Sequence, residues 1–150
     1  MTTSKSTGIN KFDHYTDFSG RNTNGWVLVQ NASIKEGQKG NYYCELVAVG
    51  KFPRLAHTGI SFVLGKSYEM SVLARGTSET YGRAYLAMTV YGAAEEGNEN
   101  FKVTPHWETY KFTFTMTSED AGAGEIWIRQ ALVDFGDPIV DVDNIHIREL

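Results

Sequence analysis

The side chains of this 150-residue sequence whose types and spacing bear on chemistry are four histidines, one cysteine, a pair of aspartates and a strand-like run holding two tyrosines. His14, His57, His106 and His146 are scattered, and none stands in an HxH or HExxH spacing that would place two ligands on one metal. Cys44 lies in the apolar run YYCELVAV without a second cysteine to pair with, and reads as a small buried thiol. No GxSxG elbow, P-loop or GxGxxG occurs. Asp141 and Asp143, in DVDN, share one face of a terminal strand, whereas glycoside hydrolysis needs a second acid facing the first across a cleft. The chain is therefore read as a non-enzyme. In AYLAMTVYG (84–92), alternation puts Ala84, Leu86, Met88 and Val90 on a core face and Tyr85, Ala87, Thr89 and Tyr91 on the other. A solvated face would normally carry Lys, Glu or Ser, so the two tyrosines either meet a ligand or pack against a loop or neighbouring strand.

These residues must be positioned by strands. No segment repeats apolar residues at helical spacing for more than two turns, while short alternating runs rich in Val, Ile, Thr, Phe, Tyr and Trp recur throughout. The predicted strands are GWVLVQ, YYCELVAV, TGISFVL, SYEMSVLARG, AYLAMTVYG, TYKFTFTMT, EIWIRQALVDF and VDVDNIHIREL. Glycine-marked breaks separate them, and residues 92–107 read as one long, solvated loop. The fold class is all-β, a two-sheet antiparallel β-sandwich of jelly-roll type. With 41% hydrophobic residues, the chain suits one domain over residues 9–150, preceded by a flexible segment over 1–8. Trp26, after the NG turn, and Trp107, before TYKFTFT, are expected to be structural.

A net charge of −4 leaves no basic surplus for nucleic acid or anionic membranes, and no run approaches the ~18 apolar residues of a membrane span. The opening MTTSKSTGIN has no secretory h-region. Either this is the mature part of a secreted protein or the chain does not use the general export route.

The order of DFSG, NGW, GNYYCELVAV, LGKSYEMSVLARG, WETYKFTFT and IVDVDNIHI resembles the jelly-roll carbohydrate-binding modules of families four, nine and twenty-two, over residues 9–150. Leu64 to Arg75 is the closest match, with Leu64 standing where that family has proline. The start, NKFDHYTDFSG, departs from the family pattern and leaves open whether Asp13 or Asp17 takes the acidic place.

The resemblance implies a non-catalytic module that binds polysaccharide, such as xylan or β-glucan, in a cleft on one sheet. Tyr85 and Tyr91 would bracket the glycan, whose pyranose C–H faces pack on aromatic rings, while Ala87 and Thr89 leave it room. From EIWIRQALVDF, a bulge near residues 129–131 would turn Gln130 and Asp134 toward the cleft and leave Trp127 or Arg129 at its edge. Arg54 and His57 are further polar candidates. The resemblance also implies a structural Ca²⁺ held by Asp143, by Asp17 or Asp13, and by carbonyls around Asn41. A monomer is expected, extracellular and part of a larger secreted enzyme. The alternative is a structural or host-surface adsorption module of a virion or tail-like particle, which a stable homo-oligomer would mark.

Overall fold

The computed structural model describes residues 11–48, 52–77, 84–93, 98–119, 122–130 and 139–150. The predicted N-terminal segment, 1–8, lies outside them. Eleven strands form within the described residues: β1 (Asp13–Thr16), β2 (Val27–Val29), β3 (Ala32–Glu36), β4 (Tyr42–Val47), β5 (Arg54–His57), β6 (Ser67–Thr77), β7 (Ala84–Val90), β8 (Asn98–Val103), β9 (Glu108–Thr115), β10 (Ile126–Gln130) and β11 (Ile139–Glu149). One sheet runs β3-β4-β11-β6-β9, with β1 also on β11, and the other runs β2-β5-β10-β7-β8. The strand pairings are antiparallel. This is the expected all-β two-sheet sandwich.

Period-two alternation builds the core between the sheets. Tyr68, Met70, Val72 and Ala74 of β6 face Leu86, Met88, Ile126 and Ile128 of the other sheet as buried residues of one cluster. The long strand β11 changes phase on the way. Val140 and Val142 are buried, and so are Ile145 and Ile147, so the inward set switches from even to odd numbers. A register shift between Asp143 and His146 absorbs the extra residue, with Asn144 at φ 46°, a left-handed conformation that asparagine tolerates better than most residues. At this bulge the neighbour on one edge of β11 changes from β4 to β1.

Several expectations are corrected. TGISFVL is not a strand: Ile60 is buried, and Phe62 packs edge-on to Tyr68 and Phe114 at 4.7 and 5.4 Å, but the segment joins no ladder. Its backbone is instead held by side chains and turns, as where the Val63 N–H donates to the Tyr68 hydroxyl at 2.8 Å. Alternation reports which side chains are buried; it does not report what the backbone bonds to. The ladder forms earlier, at β5. The segment read as one long loop contains β8, a polar edge strand along β7. Trp26 is buried as expected, but Trp107 is half-buried and stands against Tyr43 and Arg75 on the outer face of the six-stranded sheet.

Candidate functional site

β10 is the central strand of the five-stranded sheet, paired to β5 on one side and β7 on the other. Its alternation, Ile126 and Ile128 buried and Trp127 and Arg129 partly exposed, turns the last two outward. Residues opposite one another in a ladder share a face, so Trp127 lies between Ala56 and Thr89, and Arg129 between Arg54 and Ala87. The Arg54 guanidinium sits 4.4 Å from the centroid of the Trp127 ring, and Tyr91 meets the same ring edge-on at 5.2 Å. Tyr91 is 38% exposed and is held at the end of β7 by two backbone bonds, its N–H to Glu125 O (2.9 Å) and its carbonyl from Gly124 N–H (2.7 Å). Tyr85 is outward and half-buried at the other end of β7, opposite Lys102 of β8 and roughly 20 Å from Tyr91 at strand rise.

The outer face of this sheet therefore brings together five of the eight candidates: Tyr85, Tyr91, Trp127, Arg129 and Arg54. Gln130 departs from the expected bulge. Strand pairing continues through it to Leu86, and its side chain is buried on the inward side, with neither amide atom hydrogen-bonded among the described residues. A bulge in the middle strand would break ladders on both sides, which outweighs the cost of desolvating one amide. Asp134 lies outside the described residues.

His57 also faces inward and is buried. Its Nδ1 accepts from the Gly59 N–H at 3.0 Å while Nε2 lies 3.2 Å from the Asn24 carbonyl, which selects the neutral tautomer with the proton on Nε2. Burial holds its pKa below the usual value, and that of His14 likewise, with charge repulsion from His57 adding to the effect on His14. His57 is a packing residue. Ala87 is outward but fully buried, so the room expected above it is already covered. Sequence reading missed Asn100 and Lys102, which β8 places opposite Ala87 and Tyr85; only a polar edge strand within the supposed loop would have revealed them.

The proposed metal ligands sort differently. Asp13 is bound to His146, Oδ1 to Nε2 at 2.8 Å, and sits with β1 beyond the bulge. Asp17 accepts the Ser19 N–H at 3.0 Å, which holds its carboxyl below the usual range. Asp143 is lifted to about 6, mainly by burial, with the negative charge of Asp17 contributing. Asp17 thus lies close enough to act on Asp143, whereas Asp13 is engaged by His146. Asn41 lies on the 37–41 turn, its carbonyl accepting from Gly37 N–H at 2.6 Å, and lines the same cavity as Asp143. Two carboxylates without an ion pair among the described residues match a hard cation in donor type. Among the described residues, no three His, Cys, Asp or Glu side chains cluster, so carbonyls would have to supply the remaining ligands.

Comparison with known proteins follows the same lines. Among solved structures the chain is similar to the CBM22-1 and GH10 modules of Clostridium thermocellum endo-1,4-beta-D-xylanase 10B complexed with xylohexaose, at 14% identity and TM-score 0.60 over 91% of this chain and 28% of that one. It is similar to the CBM22-1 xylan-binding domain of Paenibacillus barcinonensis Xyn10C, at 15% identity and TM-score 0.60 over 91% of this chain and 92% of that one. It is also similar to the enzymatically active domain of tailspike protein 4 of bacteriophage CBA120, at 13% identity and TM-score 0.61 over 90% of this chain and 21% of that one. The chain thus spans less than a third of the xylanase and tailspike chains, and at these identities the likeness is one of fold. No curated protein matches. The family model described as carbohydrate binding domain matches residues 14–129, most of the sandwich, and the chain belongs to that family.

Proposed function

We propose that this module binds a neutral polysaccharide along the outer face of the five-stranded sheet, without catalysing its cleavage. The observation that carries the reading is the group at the centre of that face, where Trp127 stands between the Tyr91 ring and the Arg54 guanidinium. Indole and phenol rings offer apolar faces to pyranose C–H groups, while Arg54, Arg129, Asn100 and Lys102 supply donors for hydroxyl oxygens. Affinity is modest, because a wet, open face with few aromatic contacts leaves little surplus over the cost of ordering a flexible chain. The xylan-binding domain and the xylohexaose complex among the fold neighbours favour a β-1,4-linked plant polysaccharide, met outside the cell as one module of a larger enzyme.

The test is calorimetry of the purified chain against xylan, mixed-linkage glucan, xyloglucan, mannan, laminarin and alginate, beside Tyr85→Ala and Tyr91→Ala. Saturable binding to one neutral polymer, weakened by both substitutions, is the expected result. Absence of binding by folded protein to all six would sink the reading. Paired with a stable homo-oligomer in sedimentation, it would favour the adsorption-module reading that the tailspike likeness in fold suggests.

We also propose a structural Ca²⁺ on Asp17 and Asp143, the ion neutralising a carboxyl that burial makes costly to ionise. At a hundredfold excess over Kd, an ion that binds only the folded state stabilises by about 2.7 kcal/mol, roughly 5–10 °C in Tm for a domain of this size. Thermal denaturation in calcium and in chelator should show that shift in the wild type and none in Asp143→Asn. In chelator, Asp143→Asn should be at least as stable as wild type at pH 7. The carboxyl's folded pKa lies above its unfolded value, so its charge costs stability once pH rises through about 6. Equal responses of the two proteins to calcium would remove Asp143 from the site.

A further inference from the structure

The opposite side of the sandwich, the outer face of the six-stranded sheet, holds a cavity of about 650 Å³, within the range of small-molecule sites. Antiparallel register builds it. β4 turns Tyr43 outward, since Cys44 and Leu46 are buried, and β6 turns Leu73 and Arg75 outward between the buried Val72, Ala74 and Gly76. β11 lies between β4 and β6 and brings Asp141 opposite Arg75 and Asp143 opposite Leu73. Trp107 arrives from the turn before β9, whose Glu108 pairs with Ala74. Tyr43, Leu73, Arg75, Trp107 and Asp143 all line the cavity.

The arrangement is specific. The Tyr43 and Trp107 rings meet at 74° with centroids 5.9 Å apart, so they form a corner with two perpendicular apolar walls. Arg75 lies against both, its guanidinium carbon 4.7 Å from the Trp107 centroid and 5.5 Å from that of Tyr43. Asp141 fixes it there, Oδ2 accepting from Nε at 2.8 Å, although Asp141 is itself buried and its pKa is raised by that burial. Its Oδ1 has no hydrogen-bond partner among the described residues. The terminal nitrogens of Arg75 make no hydrogen bond among the described residues, and a third of that side chain remains exposed. At the far end, Asp143 Oδ1 accepts from the Asn144 N–H, leaving its second oxygen for another donor.

We propose that this corner is a second saccharide site, back to back with the five-stranded face and binding a short stretch of neutral glycan. Aromatic walls take pyranose C–H faces, Arg75 donates to hydroxyl oxygens, and a carboxylate oxygen accepts from hydroxyls. Charge selects the class. Glu45, Asp141 and Asp143 stand on this face against Arg75 and Lys35, and Arg75 is already matched by Asp141, so uronate-rich chains are disfavoured. Two sites on opposite sheets would let one module bridge two chains, or bind one insoluble surface with raised avidity. Asp143 also belongs to the calcium reading; the saccharide site is carried by Tyr43, Trp107 and Arg75, and it does not depend on the five-stranded face being a cleft.

The three tryptophans report separately. Trp127 lies on the five-stranded face, Trp107 in the cavity and Trp26 in the core. With the full chain labelled with 5-fluorotryptophan, ¹⁹F NMR titration with hexasaccharides of xylose, glucose and mannose should shift the Trp107 signal saturably. That shift should persist in Trp127→Ala. In Tyr43→Ala the half-saturation concentration read at Trp107 should rise at least tenfold, with the Trp127 response intact. A Trp107 signal unmoved by all three sugars overturns the proposal, as does one that moves only while Trp127 is present. A responding Trp107 beside a silent Trp127 upholds it and removes the five-stranded face instead.

Discussion

Trp127→Ala should weaken polysaccharide binding at the five-stranded face by roughly 10- to 100-fold, about 1.4–2.7 kcal/mol, while leaving the fold intact. The ring is the centre of the five-stranded face: one side meets Arg54 at 4.4 Å, its edge meets Tyr91 at 5.2 Å, and the ladder partners Ala56 and Thr89 are small. Its removal takes away the largest apolar surface available to a sugar ring and also frees Arg54, whose guanidinium then loses its platform and its fixed direction. Both losses fall on the same contact, so the effect should exceed that of Tyr91→Ala or Tyr85→Ala, which stand at the ends of β7. Stability should fall little, because Trp127 is half-buried on an outer face while Ile126 and Ile128 hold β10 in the core. Calorimetry against the polymer identified for the wild type, with circular dichroism as the fold control, checks it. Undiminished binding in a folded Trp127→Ala protein would exclude this face as the site.

The fold was largely legible because alternation is a strong signal where a strand is long and one-sided. SYEMSVLARG became β6 and AYLAMTVYG became β7 nearly residue for residue. It failed where polarity disguised it. β8, with the sequence NENFKV, is too polar to look like a strand, yet Val103 is buried and its outward residues are what an edge strand shows to water. Trp107 was expected at the core edge because the family resemblance aligns it with such a position. Its odd number nonetheless puts it with Thr109 and Lys111, opposite in parity to the buried Phe112 and Phe114, so parity would have been the better guide.

The site was legible in part for the same reason. Parity alone places Tyr85, Trp127 and Arg129 outward, since it needs only that the strand be regular. Gln130 was displaced by weighing one buried amide against a bulge in β10. The structure puts the bulge in β11, where the inward set must change from Val142 to Ile145 and an asparagine is available for the left-handed turn. The cavity beside Tyr43 could not be seen in sequence, because β4, β6, β11 and the turn before β9 meet there only through long-range register.

Gly25→Ala should destabilise the protein by about 3–5 kcal/mol, a large fraction of the 5–15 kcal/mol typical of a single domain. Gly25 sits at φ 91° in the turn before β2, where a side chain is strained whatever the space, and a β-carbon there would stand 2.5 Å from His57 Nε2. The neighbour cannot yield. His57 is held at both ring nitrogens, by Gly59 N–H and the Asn24 carbonyl, and its ring lies edge-on between Trp26 at 5.1 Å and His14 at 5.0 Å. Moving it would break two hydrogen bonds in a buried, neutral imidazole and disturb Trp26, which is buried at the entry to β2. Chemical denaturation of Gly25→Ala, His57→Ala and the double variant separates the two components. If the clash with the ring dominates, the double variant loses at least about 1 kcal/mol less than the sum of the singles, since removing the ring opens the space. If the losses simply add, the cost belongs to the backbone conformation alone, and His57 plays no part in why a glycine follows Asn24.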